Sequence, residues 1–524
     1  MLVEAAALLC LGWFAFIFVV CGLGYAQLFI HYRKPPPPAN VLEKPVRDIP
    51  HVTIIRPCKG HEPYLAECLS SSFHQVYPRT RLTIHFCVAS RDDPATAVIQ
   101  SVLKQYPGFD ARLFVEDEDP ALHTADGPNV LGPNPKIRNM SRAYREGKDD
   151  LVWIVDCNVW VSSGACARMV DKICGYSKDG PFTKAFKLVH HLPICVDVHN
   201  DYTHGTKSRK LLRSMSQGHD APLTGSISVT GNSHGSGGRL EELFLSSSHA
   251  KMYVAISTVA VAPCIVGKSN MFRRSHLYGL TGGMGIDYFS HNICEDHLIG
   301  DLLWKSTINH CQPCSTDPET ESVWRSLGNH GLVRGDLAIQ PVAGMSVTGY
   351  IARRVRWLRV RKFTVPAATA VEPGTESVVC SLMGAWGVTT SPLTKDFAGS
   401  SWPWMLTWWL SSMFIWSCVD RTVYLLLHSG ATVEDDDSVP TFAKPLAEPL
   451  RGRRSWATWL SAWIGREFLA FTIWFWAIWG GVSVTWRERR FWVGFDMRVH
   501  EIPHHGHQRS SVNGNGHAAK HKIV

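Results

Sequence analysis

Four charged signatures stand in fixed order between two apolar ends of a 524-residue chain: Asp92-Asp93, Asp156-Cys157-Asn158, Glu295-Asp296 and Arg353-Arg354-Val355-Arg356-Trp357. The first two follow apolar, β-rich runs at 82–88 and 151–155. Carboxylates at the C-terminal ends of parallel strands sit where α/β sheets bind ligands. Gathered there, they can hold a divalent metal against phosphate and supply a general base. The chemistry implied is transfer of a sugar from a nucleotide.

Each signature also has an ordinary structural use. An acidic pair at a helix start, as Glu295-Asp296 is before 297–304, can be a cap. Asp-Pro and Asp-x-Asn make turns, which covers Asp93 and Asp156. Arg353, Arg356 and Trp357 could form a basic helix above a membrane. In the functional reading the guanidinium groups clamp a diphosphate and the indole packs near the acceptor. Lys136, within Asn134-Pro135-Lys136-Ile137-Arg138-Asn139, would neutralise phosphate on the same reading. It is the order of all four that favours function.

The elements that must position these residues alternate. Strands are expected at 52–55, 82–88, 111–115 and from 151, with helices at 63–75, 96–106 and 137–146, which argues a mostly parallel α/β sheet. Residues 201–238, rich in Ser, Gly, His and Lys, break the pattern as an exposed insertion whose basic cluster Lys207, Arg209, Lys210 and Arg213 is solvated.

Both ends of the chain point to a bilayer. Residues 5–30 carry no charge and suffice to span one, and the absence of a basic leader and cleavage site favours a retained anchor. Arg33-Lys34 then places the following domain in the cytosol, and Pro35 to Pro38 open a stiff spacer. The 20 tryptophans crowd into 402–416 and 456–486, as at membrane interfaces. Spans are expected at 402–427 and 456–479, a shorter apolar segment at 378–390 and a polar loop at 434–454. The resulting organisation is an N-terminal anchor at 1–34, a Pro-rich linker at 35–49, a cytosolic domain at 50–366, a C-terminal membrane region at 367–490 and a disordered tail at 491–524.

Composition removes other classes. A net charge of +8 without a basic stripe interleaved with stacking aromatics argues against nucleic acid. Fifteen irregularly spaced cysteines make no disulfide scaffold, and reduced thiols facing the cytosol are the simpler reading. The lone Cys311-Gln312-Pro313-Cys314 lacks a second ligand pair for zinc and is taken as a turn with free thiols.

With these motifs in hand, the chain resembles ceramide glucosyltransferases, fungal ones in particular, from the anchor to about residue 490. Arg56-Pro57-Cys58-Lys59-Gly60, Asp92-Asp93-Pro94-Ala95, Asp110-Ala111-Arg112-Leu113-Phe114, Asn134-Pro135-Lys136-Ile137 and Val189-His190-His191-Leu192-Pro193 carry the likeness. The family's three acidic signatures fall on Asp93, Asp156 and Asp296, and its (Q/R)xxRW on Arg353 to Trp357. The resemblance implies a GT-A-like domain and inverting transfer of glucose from UDP-glucose to the primary hydroxyl of ceramide, in a multi-pass protein of the Golgi or endoplasmic reticulum membrane. It implies Asp296 as general base with Glu295 beside it, Asp156 holding Mg²⁺ or Mn²⁺, Asp93 toward the nucleoside, and Lys136, Arg353 and Arg356 toward the phosphates. Asn158 stands where a second metal carboxylate is usual, which weakens the case for a metal. A processive polysaccharide synthase of the chitin or hyaluronan type shares the four signatures, but Arg353 in place of Gln and the few C-terminal spans disfavour it. A non-catalytic membrane scaffold or lectin is disfavoured by three intact acidic sites.

Overall fold

The computed structural model describes residues 1–122, 131–177, 184–198, 235–308, 310–311, 325–434, 436–449, 452–486 and 489–502. Nearly all of the expected insertion, its basic cluster, Cys314 and the His-rich tail lie outside the described residues.

The central domain is built on a sheet of β1 (Val52–Pro57), β2 (Leu82–Val88), β3 (Asp110–Val115), β4 (Leu151–Val155), β5 (Ala185–Asp197), β6 (Ser269–Arg273), β7 (His310–Cys311) and β8 (Arg325–Val342). Their order is β3-β2-β1-β4-β6-β5-β8-β7. Strands β1, β2 and β4 are buried along their whole length, because helices cover both faces, as continuous apolar strands require. On one face the helices Leu65–Ser70, Ala95–Gln105 and Ala165–Cys174 pack around Ile54, Phe86 and Trp153. On the other, Pro135–Arg145 and Glu295–Lys305 close over Ile55, Val152 and Phe272. Residues 63–75, expected as one helix, contain only Leu65–Ser70, which Tyr64 enters from a left-handed conformation.

The sheet is mixed. β1 pairs in parallel with β2 and β4, and β5 with β8, but β6 runs antiparallel between β4 and β5. The reason is the route of the chain. It leaves the carboxyl end of β5, forms the helices Ser236–Ser246 and Ser248–Val259, and starts β6 from that same edge. Ser269 therefore lies beside Val155, and Lys268 reaches the edge that carries Asp156.

Among the described residues two helices, Leu2–His31 and Trp402–His428, are long and apolar enough to cross a membrane. The shorter Ser377–Thr390 packs on the first through glycines: a β-carbon on Gly384 would lie 2.5 Å from the Phe14 ring, and one on Gly387 2.8 Å from the Leu11 backbone. Such small-residue contacts are how helices approach closely in lipid. The charges that interrupt the C-terminal helices point inward. Asp420, Arg466 and Glu467 are buried, and the Trp463 indole donates to Asp420 at 2.8 Å.

The helix Trp456–Trp479 has the bounds expected of the second apolar segment. Both its ends return to the domain: Arg454 ahead of it pairs with Glu242 at 3.2 Å, and the Gly480 carbonyl behind it accepts from Arg359 at 2.6 Å. The chain beyond is also more ordered than its sequence suggests. β9 (Ser483–Trp486), β10 (Arg489–Val493) and β11 (Val499–Glu501) form a ribbon, because Phe491, Val493 and Val499 alternate inward onto Val360 and Cys294.

Candidate active site

Sheet order reverses between β1 and β4, the switch point at which open α/β sheets form their ligand crevice. Asp156 leaves β4 there. Its backbone is braced from beneath by Arg56, fully buried, which donates to the carbonyls of Asp156 at 3.0 Å and Val159 at 2.8 Å. The Asp156 N–H donates to the Lys268 carbonyl at 3.1 Å, joining the start of β6 to the end of β4.

Two helix starts face this point. Asn134 caps Pro135–Arg145, its side-chain oxygen accepting from the N–H groups of Lys136 and Ile137, with Pro135 in the first turn where no N–H is needed. The same Asn134 amide donates to Glu295 at 3.2 Å, so the cap of one helix fixes the first residue of the other. Glu295 and Asp296 occupy the first turn of Glu295–Lys305, where the helix dipole favours negative charge.

The result is a compact charge cluster. The Lys136 ammonium lies 3.1 Å from Glu295, 3.1 Å from Asp296 and 3.3 Å from Asp156. Lys268 lies 2.9 Å from the other oxygen of Asp156. Lys136 and Glu295 are buried, while Asp156 and Asp296 are about a quarter open, at 22% and 27%. Burial alone would raise Asp156, but the two ammonium groups outweigh it and hold the carboxyl at about 2. Burial opposes the charge of Lys136, yet three carboxylates push it well above its ordinary value. Glu295 is pushed up to about 7, first by burial and then by the Asp296 charge beside it.

Of the residues singled out from sequence, the structure brings together Asp156, Glu295, Asp296 and Lys136. Asp93 has a backbone role in the next loop, accepting from Gly60 N–H at 2.8 Å and Ala95 N–H at 2.9 Å. Gly60 takes a left-handed conformation there (φ +66°), so Asp93 fixes the Lys59-Gly60 turn over the edge of the sheet. Arg353 pairs with Glu241 at 2.9 Å and lies over Trp357 at 4.9 Å, against the Ser236–Ser246 helix. Arg356 lies half-buried on the same helix, Val347–Thr364. His190 and His191 of the Val-His-His-Leu-Pro stretch are buried beneath the site, His191 hydrogen-bonding the Ser269 hydroxyl at 2.8 Å.

Two cations were missed. Lys268 directly precedes β6, whose sequence Ser-Asn-Met-Phe-Arg gives little strand signal, and only the antiparallel course of β6 brings it to Asp156. Arg361 stands one turn beyond Trp357. Burial lowers His297, and the charge of Arg361 is the next contribution, although Arg361 itself pairs with Glu372 at 3.3 Å.

A divalent ion can be weighed against these side chains. Among the described residues no group of three or more acidic, His or Cys side chains is set to hold one, and both Asp156 oxygens face ammonium groups. Mg²⁺ often takes only one or two carboxylates and completes its shell with substrate phosphates and water. The residues therefore fit an ion that arrives with a diphosphate, with Asp156 as its carboxylate.

Set beside known proteins, the chain whose sheet carries this crevice is a glycosyltransferase. The chain belongs to glycosyl transferase family 21, whose profile matches residues 14–203 and 201–499. It is 45% identical over 524 residues to a ceramide glucosyltransferase of Pyricularia oryzae, covering 95% of this chain and 96% of that one. It is 43% identical over 517 residues to one of Gibberella zeae, covering 95% and 93%. Among solved structures, the mannosyltransferase PcManGT from Pyrobaculum calidifontis in complex with GDP-Man and Mn²⁺ is 14% identical, with a TM-score of 0.37, covering 82% of this chain and 98% of that one.

Proposed function

We propose that the protein transfers glucose from UDP-glucose to the primary hydroxyl of ceramide with inversion, on the cytosolic face of the Golgi or endoplasmic reticulum membrane. The observation that carries the reading is the convergence of Asp156, Glu295 and Asp296 on Lys136 at the carboxyl edge of the sheet, in a chain whose relatives are ceramide glucosyltransferases.

Asp296 is the more open of the paired carboxylates and is assigned as general base. It takes the proton of the acceptor hydroxyl as that oxygen attacks the anomeric carbon. The bond from that carbon to the β-phosphate oxygen breaks and UDP departs. Glu295, whose raised pKa favours its protonated form below about 7, limits the negative charge beside the base. Lys136 and Lys268 meet the charge developing on the leaving diphosphate. A Mg²⁺ or Mn²⁺ ion held by Asp156 and the diphosphate would add Lewis-acid neutralisation. Asp93 shapes the Lys59-Gly60 turn for the nucleoside end. Arg356 is assigned to the phosphates, and Arg353 joins it only if its pair with Glu241 opens; Trp357 packs between them and the acceptor side.

The test is to incubate membranes containing the protein with labelled UDP-sugars and ceramide and to identify the lipid product. Glucosylceramide of β configuration is expected. A galactosyl lipid, an α-linked product or a polymer would each reject the reading.

A further inference from the structure

The C-terminal ribbon presents apolar surface that no part of the catalytic cycle above uses. Phe491 fills its core, but at its tip Phe495 is 91% exposed, and Trp492 and Met497 are also exposed. Phe495 meets Phe363 edge-on, the two ring centres 5.1 Å apart. Exposed apolar side chains gathered on one turn, Trp492, Phe495 and Met497, are the kind of patch that marks a protein or membrane contact.

Two relationships indicate what covers it. The first is continuity with Trp456–Trp479. That helix buries Trp459, Trp463, Arg466, Glu467, Ile473 and Ala477 on the protein, while Ile464, Phe468, Phe471, Phe475 and Trp479 are exposed. Their spacing of four, three, four and four residues draws one stripe along the helix. Charges turned into the protein and aromatics turned outward is the pattern of a helix whose outer face meets lipid. The ribbon follows immediately, and it is fixed to the same base: Arg359 donates to the Ser483 carbonyl at 2.7 Å and Lys362 to that of Gly481 at 2.8 Å.

The second relationship is with the site. Cys294, the residue before Glu295, and Ile293 pack into the ribbon core. Val499 N–H donates to the His291 carbonyl at 2.8 Å, and the Asn292 amide to the Met497 carbonyl at 2.9 Å. The turn that carries the tip is thus bonded to the loop that starts the Glu295–Lys305 helix. Arg498 lies in the tip turn and is exposed, beside the exposed Asp496, which accepts its N–H at 3.1 Å, so the tip carries one cation that can meet an anionic headgroup.

We propose that the ribbon tip, Trp492, Phe495 and Met497, is a membrane-contact surface that dips into the boundary between headgroups and acyl chains beside the Glu295-Asp296 end of the site. This rests on the reading of the acceptor as a bilayer lipid. By seating that end of the site on the bilayer, the tip raises the encounter of the base with an acceptor hydroxyl at the membrane surface. It leaves the chemistry untouched.

The test uses the full-length protein in lipid nanodiscs. A photoreactive benzoylphenylalanine at position 495 should cross-link to lipid, and the same residue at Arg112, exposed on the far-edge strand β3, should not. In parallel, with the protein reconstituted into the vesicles that carry the ceramide, Phe495→Glu should raise the apparent KM for that vesicle ceramide by about 10-fold, the loss of one buried aromatic. Phe495→Leu should stay near wild type, and both should keep the wild-type KM for UDP-glucose and wild-type turnover on a dispersed short-chain ceramide. Position 495 cross-linking no better than position 112 overturns the proposal. So does Phe495→Glu with an unchanged KM for vesicle ceramide. Failure of wild type to glucosylate either ceramide would sink the functional reading, and the cross-link would still decide the contact.

Discussion

Gly267 and Asp296 touch across the mouth of the site. A β-carbon built on Gly267 would lie 2.6 Å from one Asp296 carboxylate oxygen and closer still to the other. The backbone ahead of β6 is therefore the wall that fixes where the base can point. Gly267→Ala should displace that carboxylate with little effect on folding, since Asp296 is partly open and can swing. A misplacement of about 1 Å costs on the order of 100-fold in rate, so we expect turnover to fall by about that much with donor affinity retained. Wild-type turnover in the alanine variant would show that Asp296 need not sit where it does.

The same carboxylate can be tested directly. Asp296→Asn keeps size but accepts no proton, so turnover should drop by about 10²–10⁴-fold while UDP-glucose binding, measured by calorimetry, changes little. Glu295→Gln should retain far more activity. The reverse ranking would make Glu295 the base.

The pair also sets a stability signature. Glu295 rises from 4.5 to about 7 in the folded protein, by burial and then by Asp296. The folded state keeps a proton there that the unfolded chain has released, so this group's contribution is full below pH 4.5 and is lost as pH rises through about 7. Asp156, lowered from 3.8 to about 2, contributes in the opposite sense: present above 3.8, lost as pH falls through about 2. Glu295→Gln removes only the first effect. Its melting temperature should gain on wild type as pH rises through about 7; parallel curves would mean that Glu295 is already ionised in the fold.

Lys268 should behave as a donor-side cation. Losing one charge-assisted contact to phosphate is worth about 1.5–3 kcal/mol, so Lys268→Met should raise the KM for UDP-glucose by about 10-fold or more, with a smaller change in turnover. Excess chelator should abolish wild-type transfer, and the variant, with one fewer ammonium competing for Asp156, should need less Mg²⁺ for half-maximal rate. Full activity in chelator would leave the two lysines as the only positive charges meeting the diphosphate from the Asp156 side.

How much of this was legible depends on how far apart in sequence the interacting groups are. Asp156 could be placed from five apolar residues ahead of it, because a strand end is a local property. Lys136 could be suspected from Asn134-Pro135, a local helix start. Lys268 could not, since its value comes from β6 running backwards, a choice made by the path of the helices after β5. Arg353 was read toward phosphate because Glu241, its partner at 2.9 Å, lies 112 positions earlier. Phe491, Val493 and Val499 show strand alternation, but the surrounding arginines and the polar tail masked it, and their burial depends on Cys294 and Val360.

The buried pair Lys251 and Asp420 supplies the last expectation. Both are fully enclosed and in direct contact, Lys251 also lies 4.4 Å over the Trp416 ring, and Asp420 accepts from the Trp463 indole at 2.8 Å. They join the Ser248–Val259 helix to Trp402–His428, so the membrane helix is locked to the domain by charge. Asp420→Asn would leave an enclosed ammonium without its counter-charge, at a cost of about 3–5 kcal/mol. Arg466, 3.9 Å from Asp420, keeps Glu376 at 3.2 Å and its neighbour Glu467, so the damage should centre on Lys251. Replacing both, as Lys251→Met with Asp420→Leu, should recover most of the loss, because a packed apolar pair often equals a buried ion pair. The exposed pair Lys305 and Asp301 is the control, worth at most about 1 kcal/mol. Thermal unfolding in detergent measures all four proteins. An Asp420→Asn variant as stable as the Asp301→Asn control would mean that water reaches Lys251 and that the helix is held by packing alone.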